Sequence, residues 1–406
     1  MRKFIGLFSW LLPSFVFCQY TGTGSVTQGT GTTTTTNLYT CSAGRVTNLG
    51  TITATDNSVW TVPAVVNFTN SSFPFASDLN NPCTAANYAN AAAALSALDG
   101  SDIVTVDTAG EVITAFIFAD NYFEMYINGV AVGKDNVPYT QFNSNIIRFK
   151  VNRPFSIAMH LVDWEENLGI GTEANGGFTN HAGDGGMVAV FKDSNNNIIA
   201  TTGNNWKAQT FYTSPIMDLT CPTENGTSRL SSNCTIQDSN NGSSYYALHW
   251  SLPNGWMDES FNDTDWPLAS TYTNATVGVN NKPAYTNFID IFDNPNDDAE
   301  FIWSTNLVLD NEVIVRYTVN GATGIMEDEN DHHRLNLYPN PASSDIHLPS
   351  MLKDCVSILI YNALGEKVYE SNRYAETISV VGIPLGIYFV EVKLSDITLK
   401  QKLIVN

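Results

Sequence analysis

Short stretches of alternating hydrophobic and polar residues run through most of the chain, and this period of two predicts β-strands that bury one face. Residues 123–127 alternate in this way, and Asn128-Gly129 then supplies the signal for a type I′ turn. The alternation recurs over 147–151 and 157–161, and residues 312–319 predict a further strand. Short strands joined by Asn, Gly and Asp turns are typical of a sandwich, so the sequence predicts a mainly β fold.

The residues ahead of this β region predict two different segments. Residues 19–37 are almost entirely Thr, Gly, Ser and Gln, which bury too little apolar surface to offset the entropy of ordering, so we expect a flexible spacer. Residues 38–109 predict short strands and one helix over 84–99, with Thr84 as its N-cap, an Ala-rich interior and Gly100 just past its end.

The N-terminus has the pattern of an export signal. Arg2 and Lys3 precede an apolar run over 4–17, which predicts a signal peptide over residues 1–18. The run is shorter than the roughly 20 residues that span a bilayer, and no later segment reaches that length. We therefore expect an exported protein whose mature chain has no transmembrane segment.

The C-terminal region has its own alternating strands, over 356–361 and 388–393. It also carries short motifs, whose residues are Tyr338, Pro339, Asn340, Pro341, Gly386, Tyr388 and Lys402. With these motifs, residues 335–406 resemble the type A C-terminal sorting domain of type IX secretion substrates. The resemblance implies a small immunoglobulin-like β-sandwich, recognition by the type IX secretion machinery, and delivery to the cell surface or the medium. The acidic stretch 320–334 is expected to be a linker.

The central region, residues 110–319, resembles the galactose-binding-like jelly rolls that accompany glycoside hydrolases. The resemblance rests on Phe118-Ala-Asp-Asn-Tyr-Phe-Glu-Met-Tyr-Ile-Asn-Gly129, on Phe261-Asn-Asp-Thr-Asp-Trp266 and on Phe301-Ile-Trp303. It implies a β-sandwich that binds a glycan or an extracellular partner, and such domains often carry a structural Ca²⁺.

Charge and cysteine content narrow the classes of partner. The chain has 406 residues with 19 Lys and Arg against 40 Asp and Glu, a net charge of −21, so nucleic acid and anionic membranes would repel it. An exported chain forms disulfides, and four cysteines remain between the signal peptide and the sorting domain. Of the three possible pairings, we expect Cys41 with Cys83 and Cys221 with Cys234, because each closes a local loop.

Three groups of residues are candidates for chemistry. An acidic cluster could supply the two carboxylates of a glycosidase, and its members are Asp163, Glu165, Glu166 and Asp184. Aromatic residues among Asn, Asp and Gly are typical of sugar sites, and the ligand-binding candidates are Trp164, Trp206, Trp256 and His181. Trp266 and Trp303 are expected in the core. Oxygen-rich turns suit Ca²⁺, and the candidate ligands are Asp193, Asn195 and Asn197.

No nucleophile elbow, HExxH or P-loop is present, so the sequence favours a binding protein over an enzyme and predicts no organic cofactor. The leading hypothesis is an exported protein that binds a glycan or an extracellular partner, with Ca²⁺ as the candidate ion. Two alternatives stay open. One is a glycan-active hydrolase that uses the acidic residues between 163 and 184, and the other is a structural adhesion or matrix protein.

Overall fold

Short strands make up most of the regular structure in the computed structural model. The structure describes residues 20–41, 45–139, 141–236, 245–295, 298–320, 335, 337–348, 352–353, 355–394 and 398–406. The chain divides into two compact units, residues 1–324 and 325–406. Within these described ranges, no helix is long and apolar enough to cross a membrane. The predicted signal peptide and most of the predicted linker lie outside the described residues.

The described residues of the first unit form 23 strands, four short α-helices and two 3-10 helices, Gly100–Asp102 and Val279–Asn281. In chain order the strands are β1 Ser25–Gln28, β2 Thr32–Thr35, β3 Leu49–Thr53, β4 Val59–Val62, β5 Ser77–Asn81, β6 Ala86–Asn87, β7 Ile103–Thr105, β8 Glu111–Asp120, β9 Tyr122–Ile127, β10 Val130–Lys134, β11 Ser144–Val151, β12 Phe155–Val162, β13 Glu173–Asn175, β14 Phe178–His181, β15 Gly186–Lys192, β16 Ile198–Thr201, β17 Lys207–Ile216, β18 Thr223–Asn225, β19 Ser228–Leu230, β20 Tyr246–His249, β21 Ser270–Tyr272, β22 Phe301–Trp303 and β23 Asp310–Val319. The helices are α1 Ala91–Ser96, α2 Asn274–Val277, α3 Pro283–Thr286 and α4 Ile289–Phe292.

Two large sheets form the body of this unit. The seven-stranded sheet has the order β1-β20-β17-β23-β12-β9-β10. The nine-stranded sheet has the order β21-β22-β15-β8-β11-β5-β6, with β16 beside β15 and β7 beside β11. Phe118, Phe149 and Val190 of the nine-stranded sheet share one buried cluster with Met125 and Met159 of the other sheet. The chain is therefore mainly β, as the alternating pattern predicts, and its two large sheets enclose a common core.

The N-terminal segment is not the flexible spacer that its composition predicts. Residues 25–28 form β1 at the edge of the seven-stranded sheet, and residues 32–35 form β2 against β3. Thr27 is buried, and its hydroxyl lies 2.9 Å from His249 Nε2. Backbone pairing and one buried Thr hold this segment in place, so its low apolar content did not decide its structure.

The helix predicted over 84–99 is shorter than expected. It begins after Asn90, whose side chain accepts a hydrogen bond from the Ala93 N–H at 2.9 Å, and it ends at Ser96. The Thr84 hydroxyl instead donates to Asp78 at 3.1 Å, and Ala85 has a φ of 61°, which no α-helix accommodates. Thr84 is therefore not the N-cap.

Both predicted disulfides are present. Cys41 pairs with Cys83, and Cys221 pairs with Cys234. The first joins the segment before β3 to the end of β5, and the second closes a loop after β17.

The second unit is built from strands β24 Asp345–His347, β25 Ser357–Asn362, β26 Lys367–Ser371, β27 Thr377–Ser379, β28 Gly386–Lys393 and β29 Thr398–Val405. Strands β24 and β27 pair with each other, and the other four form a sheet in the order β26-β25-β28-β29. The predicted alternation is confirmed at Ile358, Ile360, Val390 and Val392, which are buried in one cluster. Among the motif residues, the Asn340 side chain bonds the backbone of β29 at 2.7 and 2.9 Å.

Candidate functional site

A cavity of about 390 Å³ opens where three strand ends of the first unit meet. Asp120 ends β8 and lies opposite Gly186, the first residue of β15. Asp163 directly follows β12, and the Asn121 N–H donates to the Val162 carbonyl at 3.2 Å. The sheet registers therefore bring Asp120, Asp163 and the residues just before β15 to one place. The peptide between Asp120 and Asn121 is cis.

We call this cavity the acidic cleft, because four carboxyl side chains line it. They are Asp120, Asp163, Glu173 and Asp184, and the amide side chains of the lining are Asn121, Gln141, Asn143 and Asn175. The positive side chains in the lining are Arg45 and Lys282. Arg45 Nη1 lies 2.9 Å from Glu173 Oε2 and 3.7 Å from Glu166 Oε2, so it pairs with these two carboxylates.

Asp163, which lines the cleft, and Glu165, which lies directly behind the lining residue Gly183, are carboxyl groups that the protein leaves partly unsatisfied. Asp163 and Glu165 are each 3% exposed. Glu165 Oε1 accepts the Gly183 N–H at 2.9 Å, but Glu165 Oε2 and Asp163 Oδ2 have no hydrogen-bond partner among the described residues. Buried polar atoms are normally paired, so these two oxygens point to a missing proton, ion or ligand.

Burial shifts the protonation of this group of carboxyls. It raises the pKa of Asp163 well above the ordinary value, and the neighbouring Glu165 and Asp120 raise it further. The pKa of Asp120 is raised for the same first reason, with Asp184 adding to the effect. Burial and then Glu173 raise the pKa of Asp184 to about 6. These carboxyl groups therefore stay protonated to a higher pH than an exposed Asp does.

The four acidic residues that the sequence offers as catalytic candidates do not all lie in the cleft. Asp163 and Asp184 line the acidic cleft, and Glu165 lies directly behind Gly183. Glu166 faces Arg45 and is absent from the lining. His181, a ligand-binding candidate, lines the cleft at the end of β14.

The three tryptophans expected to bind a ligand are core residues instead. Trp164 and Trp206 are fully buried, and Trp256 is 5% exposed. The Trp164 indole N–H donates to the Asn48 carbonyl at 3.1 Å, and Trp206 stacks on Tyr317 with ring centroids 5.1 Å apart. Their rings fill the space beside the sheets and have no face open to a sugar. Trp266 and Trp303 are buried as predicted.

The turn at Asp193 already has its own hydrogen-bond donors. Asp193 Oδ1 accepts the N–H groups of Asn195 and Asn197, both at 2.9 Å, and Oδ2 lies 3.3 Å from Arg153. Burial opposes ionisation, but the hydrogen bonds from Asn197 and Asn195 outweigh it and lower the pKa of Asp193. This carboxylate is satisfied by protein groups, so the turn itself gives no support to the predicted Ca²⁺.

Sequence reasoning found Asp163, His181 and Asp184 but missed the other residues of the cleft lining. Asp120 and Asn121 interrupt an apolar run just before the predicted strand over 123–127, and that interruption was the available signal. Asn143, Phe142 and Lys282 come from distant segments and carried no local signal. Within the described ranges, no three His, Cys, Asp or Glu side chains are placed to hold one metal ion together.

Comparison with known proteins bears mainly on the C-terminal unit. The family model described as a secretion system C-terminal sorting domain matches residues 336–406. This match indicates a type IX secretion substrate that is delivered to the cell surface or the extracellular space. No curated protein matches the chain. A solved structure of apo Pleurotus ostreatus lectin is similar over 75% of this chain and 73% of the lectin, at 11% identity and a TM-score of 0.18, which carries no argument about fold or ligand.

Proposed function

We propose that this exported protein binds a glycan in the acidic cleft with the help of a Ca²⁺ ion at the cleft floor. The observation that carries the proposal is the pair of buried carboxyl oxygens, Asp163 Oδ2 and Glu165 Oε2, that have no partner among the described residues. They lie at or directly behind the floor of an open cavity of about 390 Å³.

The donor set of the floor suits a hard cation. Ca²⁺ takes six to eight oxygen ligands from carboxylates, amide and backbone carbonyls, and water. Asp120 and Asp163 would supply carboxylate oxygens, and Asn143, whose amide nitrogen donates to Asp135 at 2.7 Å, would supply an amide oxygen. Because no three acidic side chains in the described part of the chain are placed to hold one ion, water and ligand hydroxyls would complete the shell. Bound there, the ion would offset the charge of the floor and bind vicinal hydroxyls.

The size and lining of the acidic cleft suit a sugar. Ligand pockets span about 300–1,000 Å³, and the cleft lies near the lower end of that range. Its carboxyl and amide groups can accept and donate hydrogen bonds to several hydroxyls at once. Delivery by type IX secretion places the protein where extracellular polysaccharide is found.

A glycan array probed with and without Ca²⁺ tests the proposal. The purified protein should bind neutral glycans in Ca²⁺, binding should disappear with chelator, and Asp163→Asn should abolish it. Asp193→Asn is the matched control, because Asp193 lies in an exposed turn outside the cleft and should leave binding unchanged. Absence of glycan binding in both conditions would overturn the proposal and favour a structural adhesion role. If Asp163→Asn and Asp193→Asn lost glycan binding to the same extent, the result would contradict an ion site at the cleft floor.

Hydrolysis of the bound glycan is a second candidate, because Asp184 and Asp163 both line the acidic cleft. The pKa of Asp184 is raised to about 6, mainly by burial, so this cleft residue can carry a proton near neutral pH. A glycosidase needs such a proton donor and a second, ionised carboxylate. Release of reducing ends from a bound polysaccharide, lost in Asp184→Asn, would establish turnover. Binding of the polysaccharide without release of reducing ends would show that the protein binds the glycan but does not hydrolyse it.

A further inference from the structure

A two-stranded hairpin contributes three residues to the lining of the acidic cleft. Strands β13 and β14 pair only with each other among the described strands, and the turn between them is Gly176-Gly177. Both glycines have positive φ, 60° and 88°, which side chains other than Gly rarely adopt. Glu173, Asn175 and His181 of this hairpin line the cavity. We call residues 173–181 the cleft hairpin.

The cleft hairpin presents an aromatic ring to solvent beside the cavity. Phe178 is 56% exposed and lies directly opposite Asn175, a lining residue, in the strand register. Its ring is nearly parallel to the ring of His181, at 24° with centroids 6.4 Å apart, and His181 also lines the cavity. Phe178 therefore neighbours two lining residues, Asn175 across the strand pair and His181 beside its ring.

Other aromatic rings near the cleft are already engaged. Phe142 lines the cavity, but its ring stacks on Phe118 at 6.0 Å and lies 4.2 Å from Lys282 Nζ. Within the described part of the first unit, Phe75 and Phe178 are the rings that are at least half exposed. Phe75 lies outside the cavity lining, where it packs on Phe68 and has Lys134 Nζ 4.3 Å from its centroid. Phe178 is the ring with an open face next to the polar floor.

We infer that Phe178 is the platform on which the apolar face of a neutral pyranose stacks while its hydroxyls reach the polar groups of the acidic cleft. A sugar ring offers C–H groups on one face and hydroxyls at its edge, so it fits an aromatic ring placed beside carboxyl and amide groups. Four carboxyl groups line the cleft against Arg45 and Lys282, and a bound Ca²⁺ would at most balance this excess, so the cleft offers a uronate or sulfated sugar no net positive charge and favours a neutral sugar. This inference rests on the proposed glycan binding and adds its aromatic contact and the charge class of its ligand.

Titration of the purified protein with methyl β-glucoside, methyl β-galactoside and methyl α-mannoside, in Ca²⁺, tests this inference. Proton NMR of each sugar follows binding, because stacking on a ring shifts the sugar C–H resonances upfield. We expect at least one sugar to bind with such a shift, Phe178→Ala to weaken binding at least tenfold and remove the shift, and Phe178→Trp to retain both. Phe75→Ala is the matched control and should bind as wild type does, and unfolding curves check that each variant is folded.

The outcomes separate this inference from the proposed function. Sugar binding that survives in Phe178→Ala overturns the platform and leaves glycan binding in the cleft standing. If methyl glucuronide binds more tightly than the neutral sugars, the inference that the cleft prefers an uncharged sugar is wrong. If none of the sugars binds wild type, the inference fails together with simple pyranose recognition.

Discussion

Replacing Asp163 with Asn should stabilise the cation-free protein at alkaline pH. Asp163 is 3% exposed, and its Oδ2 atom has no hydrogen-bond partner among the described residues. Burial first, and then Glu165 and Asp120, raise the pKa of Asp163 in the folded state. The folded protein therefore binds this proton more tightly than the unfolded chain, and stability falls as pH rises above the ordinary Asp pKa of about 3.9.

The size of the effect follows from the unpaired atom. Leaving a buried polar group unsatisfied costs about 1–3 kcal/mol, and more when the group is charged. Asn has nearly the same shape as Asp and keeps a polar atom at this position but carries no charge, so removal of the buried charge should raise the free energy of unfolding by about 1–3 kcal/mol at pH 8. The gain should shrink at pH 5, where more of the wild-type carboxyl is protonated in the folded state.

Urea unfolding with chelator at pH 5 and pH 8 measures this difference. All 8 tryptophans precede residue 304, so their fluorescence reports the first unit alone. Asp193→Asn should change the free energy of unfolding in the opposite direction, because Asp193 accepts two backbone hydrogen bonds and pairs with Arg153. That variant should be less stable at both pH values. An Asp163→Asn protein that is destabilised at pH 8 would refute the reasoning that its carboxylate is unsatisfied.

Three further predictions concern other parts of the fold. Burial acts to lower the pKa of His160, but the nearby charge of Glu124, 3.8 Å away, and a hydrogen bond with Glu312 at 2.8 Å raise it to about 9, so this contribution to stability is full below pH 6.5 and is lost as pH rises through 9. His160→Gln leaves Glu124 buried without its cation, and urea unfolding at pH 7 should show a loss of about 3–5 kcal/mol. Replacing Cys221 and Cys234 with Ala opens a loop with a sequence separation of 13 and should cost about 3 kcal/mol by the same assay. Asn340→Ala removes two bonds to the backbone of β29, and in a host with type IX secretion it should lower the fraction of protein outside the cell.

Local pattern was enough for the strands and for the disulfides. The alternation over residues 157–161 places Ile157, Met159 and Leu161 in the shared core, as the period of two requires. The pairing of Cys221 with Cys234 followed from the short loop between them. Local composition failed at Thr27, because the strand that pairs with it, β20, lies more than 200 residues later.

The candidate site depends on contacts that no local pattern contains. Asp120 meets Asp163 because the Asn121 side chain accepts the Trp164 N–H at 2.5 Å across 43 residues of sequence. Trp164 itself is a core residue, since Tyr122 packs edge-on against it at 6.0 Å. A tryptophan among polar neighbours therefore looks the same in sequence whether its ring is buried or exposed, and only the fold separates Trp164 from Phe178.

A crystal structure of the protein with Ca²⁺ and the tightest-binding neutral methyl pyranoside tests the central claim most directly. The account predicts an ion in contact with Asp163 and Asp120, and a sugar ring in the acidic cleft against Phe178. An ion at the Asp193 turn with an empty acidic cleft, or a sugar bound on another surface, would contradict it.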